Sequence, residues 1–141
     1  MREVIAGKLW IGNAGDARDV SRVLAAGVAA IVDLAIEEPP VVYPRDITYC
    51  RFPLLDGSGN PAARLHSAIN AASGLIKSRI PTLIACSGGM SRAPVITAAA
   101  LARATGIALQ QALGEVLGTG PRDVAPGLWA DVQAIAAESS K

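Results

Sequence analysis

In 141 residues, thirteen Lys and Arg stand against twelve Asp and Glu, for a formal net charge of +1. That length suits one domain, residues 1–141, with one core. The balance leaves no basic surplus of the kind nucleic-acid binding needs and no charged tail. Hydrophobic residues make up 51% and aromatics only 4%, so the expected core is built from Ala, Val, Ile and Leu.

Two cysteines, Cys50 and Cys86, are too few for a disulfide framework. With a single histidine they also make a zinc site a poor reading. Met1 to Lys8 lacks the apolar core of a signal peptide. Asp33 and Arg103 interrupt the longest apolar stretches, so neither is expected to span a membrane. A soluble, reducing, cytoplasmic setting is expected.

Along the chain, Lys8 to Gly12 reads as a short strand. Asp16 to Ala26 places Ala17, Val20, Val23 and Leu24 at helical spacing, with Gly27 as the stop. Val28 to Ala35 is an apolar run broken only by Asp33, the pattern of a strand buried on both faces. Glu37 to Asp46 carries three prolines and reads as a loop. Ile47 to Leu54 reads as a strand, and Asp56 to Pro61 as a turn-rich loop. Ala62 to Arg79 sets Leu65, Ile69, Ala72 and Ile76 on one helical face. Pro81 to Ala85 is a short buried strand and Ala93 to Thr105 a helix, capped by Gly106. Helices over Ala108 to Leu117 and Gly127 to Ala137 flank a loop from Pro121 to Pro126. Strands alternating with helices predict an α/β fold of three layers, with a mostly parallel central sheet flanked by helices.

The junction between the Pro81 strand and the Ala93 helix carries the chemistry. It reads Cys86-Ser87-Gly88-Gly89-Met90-Ser91-Arg92. A loop entering a helix offers unpaired backbone N–H groups and the positive end of the helix dipole. Gly88 and Gly89 let the backbone curl into a nest for a tetrahedral oxyanion. Arg92 adds a planar, permanently charged fork, and Pro94 fits the first helical turn. The same dipole and arginine favour a thiolate at Cys86, a nucleophile facing the anion it attacks. Read blandly, Cys86 is a small buried hydrophobe and Arg92 a surface residue, which leaves the Gly-Gly turn and the spacing unexplained.

These residues resemble the signature of the cysteine-dependent protein tyrosine phosphatase superfamily: a His-Cys pair, five residues, then Arg followed by Ser or Thr. The frame Cys-x-x-Gly-x-Ser-Arg is closest to the dual-specificity branch. Leu9 to Asn13, Ile31 to Ala35, and the tail with Pro121, Pro126 and Trp129 resemble that family's opening strand, second strand and end. The resemblance implies a protein tyrosine phosphatase-like fold and phosphomonoester hydrolysis through a phosphocysteine, without cofactor or metal. It implies a phosphorylated protein or a small phosphate ester as partner, with no nucleic acid and no membrane. Two positions depart from it. Ala85 stands where the family has His, and Ala93 where it has Ser or Thr. In the family the histidine helps orient the loop, and the hydroxyl helps sulfur leave. Weak turnover, or phosphate binding with none, is the alternative these positions raise.

Ester cleavage needs a proton for the departing oxygen. Asp56 follows a strand end in Phe52-Pro53-Leu54-Leu55-Asp56-Gly57, within a glycine-rich loop expected to move. Parallel sheets gather ligands at strand carboxyl ends, so Asp56 and Cys86 are expected to share a cleft. The family places its general acid after a similar Pro-Leu-x-Asp run; on sequence alone, a turn-capping aspartate is the plainer reading. Ser87, Gly88, Gly89, Met90 and Ser91 complete the phosphate-binding loop. Tyr43, Arg45 and Arg51 lie near the family's pocket mouth and read as substrate contacts or solvated surface. Cys50 reads as a core residue, with a disulfide to an oxidised Cys86 as its redox alternative. His66, Asp33 and Arg122 read as structural. A Cys–Arg loop also serves sulfurtransferases and arsenate reductases, neither of which needs Asp56.

Overall fold

The computed structural model describes residues 1–118 and 123–139. Its strands are β1 (Arg2–Ile5), β2 (Leu9–Gly12), β3 (Ala30–Ala35), β4 (Thr48–Leu54) and β5 (Thr82–Ala85). Its helices are α1 (Ala14–Arg18), α2 (Val20–Ala25), α3 (Ala62–Lys77), α4 (Arg92–Thr105), α5 (Leu109–Leu117) and α6 (Pro126–Ser139). The sheet order is β1-β2-β5-β3-β4, antiparallel only between β1 and β2.

Alternation along the strands divides the core into two layers. Leu9, Ile11, Val32, Leu34, Leu54 and Ile84 pack with α3, α4, α5 and α6 on one face. Trp10, Ile31, Leu83 and Ala85 pack with Ala17, Val23 and Val28 on the other. The three-layer, mostly parallel α/β sandwich is therefore present. Every residue of α4 from Arg92 to Leu101 is buried, as expected of a helix that is apolar nearly all round. That helix starts at the end of the Cys86–Arg92 loop, so the core fixes the direction in which the loop opens.

Three expectations shift. The strand β1, which folds back on β2, is additional to the sequence reading. The helix expected over Asp16 to Ala26 is two, because the Asp19 side chain accepts from the Arg22 backbone N–H and starts α2 afresh. The loop expected from Pro121 to Pro126 is described only from Asp123; Pro121 and Arg122 lie outside the described residues. Among those residues no helix is long and apolar enough to cross a membrane.

Candidate active site

In the parallel part of the sheet the strands end at one edge, and the candidate residues leave from that edge. Glu37 and Glu38 follow β3, Asp56 follows β4, and Cys86 follows β5. A cleft of about 250 Å³ is lined by Glu37, Asp56, Cys86, Ser87, Gly88, Met90, Ser91, Arg92 and Asp123. That is below the roughly 300–1,000 Å³ of a drug-sized ligand site and suits a small polar group. A larger cleft of about 610 Å³, between α3, α4 and α6, has mostly apolar walls, with no cysteine or serine among its described lining residues.

Cys86 is 2% exposed, and its Sγ accepts from the N–H groups of Gly89 (3.2 Å) and Ala93 (3.4 Å). The sulfur therefore sits inside the curl of the loop, with both donors aimed at it. Gly89 has φ +77°, and a Cβ there would lie 3.0–3.2 Å from the Gly12 carbonyl and the Asn13 nitrogen. Glycine meets both demands at once, the left-handed backbone and the close approach. The turn after β2 braces the loop further: Cys86 N donates to Gly12 O (3.2 Å), and Ala14 N donates to Ser87 O (3.1 Å). Ser91 Oγ accepts from Ala125 N at 2.9 Å and ties the loop to the start of α6.

Arg92 is 3% exposed. Its Nη1 and Nη2 donate to the two carboxylate oxygens of Glu37, at 2.5 and 2.8 Å, and Nη1 also donates to Leu54 O at 2.9 Å. Burial alone would lower the guanidinium pKa. The bonds and charge of Glu37, with smaller contributions from Cys86 and Asp56, carry it above its usual value. The same bonds hold the Glu37 carboxyl below its ordinary value. One buried donor is left over: Nε has no hydrogen-bond partner among the described residues. Glu37 thus grips the guanidinium end-on through Nη1 and Nη2, and Nε takes no part in the pair.

A second network shapes the loop that delivers Glu37. Arg51 Nη1 donates to buried Asp33 at 3.2 Å, while Nη2 donates to the carbonyls of Ala35 (3.1 Å) and Glu38 (2.5 Å). Tyr49 donates its hydroxyl to the same Asp33 carboxylate. Glu38 accepts from Ser87 Oγ (3.1 Å) and pairs with Arg18 (2.9 Å). Arg51 is therefore committed to holding the loop, in place of the substrate contact or solvated surface read from sequence. Tyr43 is likewise committed, donating to Ala17 O and packing on Tyr49, whereas Arg45 is exposed.

The Asp56 loop is braced from within by Asn60 and from outside by α6. Buried Asn60 accepts from Leu55 N (2.7 Å) and donates to the carbonyls of Leu55 (3.0 Å) and Gly57 (3.2 Å). A Cβ at Gly127 would lie 2.9 Å from Ser58 N, so α6 packs closely on this loop. Cys50 pairs with Val32, which pairs with Ile84. Two strand spacings, roughly 9.5 Å, separate Cys50 from β5. A disulfide tolerates about 7 Å between Cα atoms at most, so this fold does not permit a Cys50–Cys86 bridge.

The sequence reading brought together Cys86, Arg92, Asp56 and the loop between Cys86 and Arg92. It missed Glu37, Glu38, Asn60 and Asp123. A Glu-Glu pair directly after a buried strand was the one available signal, since that position opens on the sheet edge that binds.

No protein-family model matches the chain, and no curated protein matches it. Solved structures do. Human DUSP28 superposes with a TM-score of 0.84 at 23% identity, over 100% of each chain. DUSP15 gives 0.81 at 23% identity, over 100% of this chain and 90% of that one. The human tyrosine phosphatase-like serine/threonine/tyrosine-interacting protein gives 0.82 at 17%, over 100% and 98%. With a cysteine and a guanidinium converging at the end of β5, the chain has the fold of these dual-specificity phosphatase structures.

Proposed function

We propose that the protein hydrolyses phosphomonoesters through a phosphocysteine intermediate. The observation that carries this reading is the Cys86 sulfur, held by loop N–H groups in one small cleft with Arg92, whose buried Nε has no partner among the described residues. A buried donor without an acceptor is costly, and a phosphoryl oxygen would satisfy it. Cys86 Sγ attacks phosphorus, the S–P bond forms, and the P–O ester bond breaks as Asp56 gives its proton to the leaving oxygen. Water then attacks phosphorus, Asp56 takes its proton, and the thiolate leaves with phosphate released. Loop amides and Arg92 hold the equatorial oxygens as charge develops on them.

A second reading, phosphate binding with little turnover, is favoured by one detail. The fully buried Ala93 offers its N–H to the sulfur but carries only a methyl group beside it. One of the structural relatives is, moreover, named as a phosphatase-like interacting protein. Rapid-quench kinetics with an aryl phosphate separates the two readings. A burst followed by slow turnover, absent in Cys86→Ser, supports the enzyme. Phosphate binding with neither burst nor turnover supports the binding module. Asp56→Asn should slow esters with poor leaving groups far more than aryl esters; an equal effect on both would remove Asp56 as the acid.

A further inference from the structure

Building on the phosphatase reading, we propose that the site selects phosphomonoesters carried on basic polypeptide segments, and that Asp123 sets this preference. Among the described residues, the cleft walls carry three carboxylates, Glu37, Asp56 and Asp123, and one guanidinium, Arg92. Glu37 and Arg92 neutralise each other in their two-pronged pair. Asp56 and Asp123 are both exposed and form no ion pair among the described residues. Asp56 has its task in proton transfer. Asp123 has none, and stands as a fixed negative charge at the opening.

Three described guanidiniums on the elements that feed this edge are engaged, two by carboxylates and one, which keeps its charge, by a carbonyl. Arg18 is held by Glu38, Arg51 by Asp33 and the Ala35 and Glu38 carbonyls, and Arg64 by Pro53 O at 3.1 Å. A phosphoryl group entering the cleft meets Arg92 and the loop amides, and the groups attached to it meet the exposed carboxylates of Asp56 and Asp123. Exposed charges act over about 8–10 Å at physiological ionic strength. An extended peptide advances about 3.3 Å per residue, so that range covers two or three residues on either side of a phosphorylated side chain. Lysines or arginines there are attracted. Acidic flanks, or the further phosphates of an inositol or nucleoside polyphosphate, are repelled.

The test uses phosphotyrosine peptides that differ only in flanks of Lys, Ala or Glu, together with inositol polyphosphates and an aryl phosphate. The expected result is a kcat/KM about tenfold higher for Lys than for Glu flanks at low salt, with the ratio contracting as ionic strength rises. Asp123→Asn should reduce that ratio and Asp123→Lys should invert it. Equal rates, a preference for acidic flanks, or inositol polyphosphates as the better substrates would overturn the proposal. If the aryl phosphate is not hydrolysed at all, the phosphatase reading fails separately. The preference is then scored by fluorescence anisotropy of the same peptides on Cys86→Ser. The same ranking there supports it, and its absence overturns it.

Discussion

The carboxylate of Glu37 meets the guanidinium of Arg92 end-on, at 2.5 and 2.8 Å, from a loop that belongs to a different strand. Arg92 is nearly buried and would otherwise carry an uncompensated charge at the foot of α4. The pair satisfies that charge and orients the arginine. Glu37→Gln should therefore lower kcat/KM about tenfold, in the range expected when a supporting hydrogen bond to a binding group is lost. A rise in kcat/KM would instead mean that Glu37 withholds the guanidinium from substrate.

The same pair makes a pH prediction. The Glu37 carboxyl is held below its ordinary value by Arg92. Its contribution to stability is therefore present above the ordinary carboxylate range and is lost as pH falls through the lowered value. Glu37 is half exposed, so the effect is modest. In urea melts, the wild-type protein should lose its margin over Glu37→Gln as pH drops below about 4. A margin that stays constant to pH 2 would show that the pair gives no linkage.

Arg51 offers a test of the loop's support. Replacing it with Met strips a donor from Asp33 and from the Ala35 and Glu38 carbonyls. Asp33 keeps the Tyr49 hydroxyl, so the expected loss is about 2 kcal/mol rather than the full cost of an orphaned buried charge. Chemical denaturation measures it. Activity should fall further than stability explains, because Glu37 rides on the released loop. Unchanged activity in the folded fraction would detach Arg51 from the site.

How much of this was legible in the sequence follows from range. The loop from Cys86 to Arg92 is local: a strand, two glycines, an arginine and a helix start lie within a dozen residues, and backbone preference alone nearly dictates its shape. Asp56 could be placed because strand ends of a parallel sheet share an edge. Glu37 and Asp123 lie 55 and 31 positions from Arg92 and carry no local signature, so only the folded chain brings them to it. Arg51 was misread for the same reason. A cation next to a predicted loop reads as solvated, until a buried aspartate on the neighbouring strand claims it.

Gly89→Ala tests whether the loop's shape is as constrained as the contacts imply. The new Cβ would force a left-handed alanine and press within 3.0–3.2 Å of backbone atoms of Gly12 and Asn13, which cannot swing aside as a side chain can. Strain of this kind costs on the order of 1–3 kcal/mol. Because α4 and the sheet are anchored independently, the loop should yield before the fold does. Phosphate affinity should drop at least tenfold while the thermal midpoint falls by only a few degrees. Retained phosphate binding would show that the loop relaxes without losing its anion nest.

Ala93→Ser bears on the slow step. The residue is fully buried, and its backbone N lies 3.4 Å from the Cys86 sulfur, so the variant tests whether a hydroxyl on its Cβ donates to the departing thiolate. A donor of that kind stabilises the leaving group when water splits the phosphocysteine, and leaves the first attack largely unaffected. The burst amplitude should therefore stay the same, while the steady-state rate that follows it rises about tenfold, a typical gain from one such donor. The size of the rise, relative to the burst rate constant, reports how strongly the wild-type alanine limits turnover. If the steady-state rate does not move while the burst persists, phosphocysteine hydrolysis is limited elsewhere, and the delivery of water by Asp56 becomes the step to test.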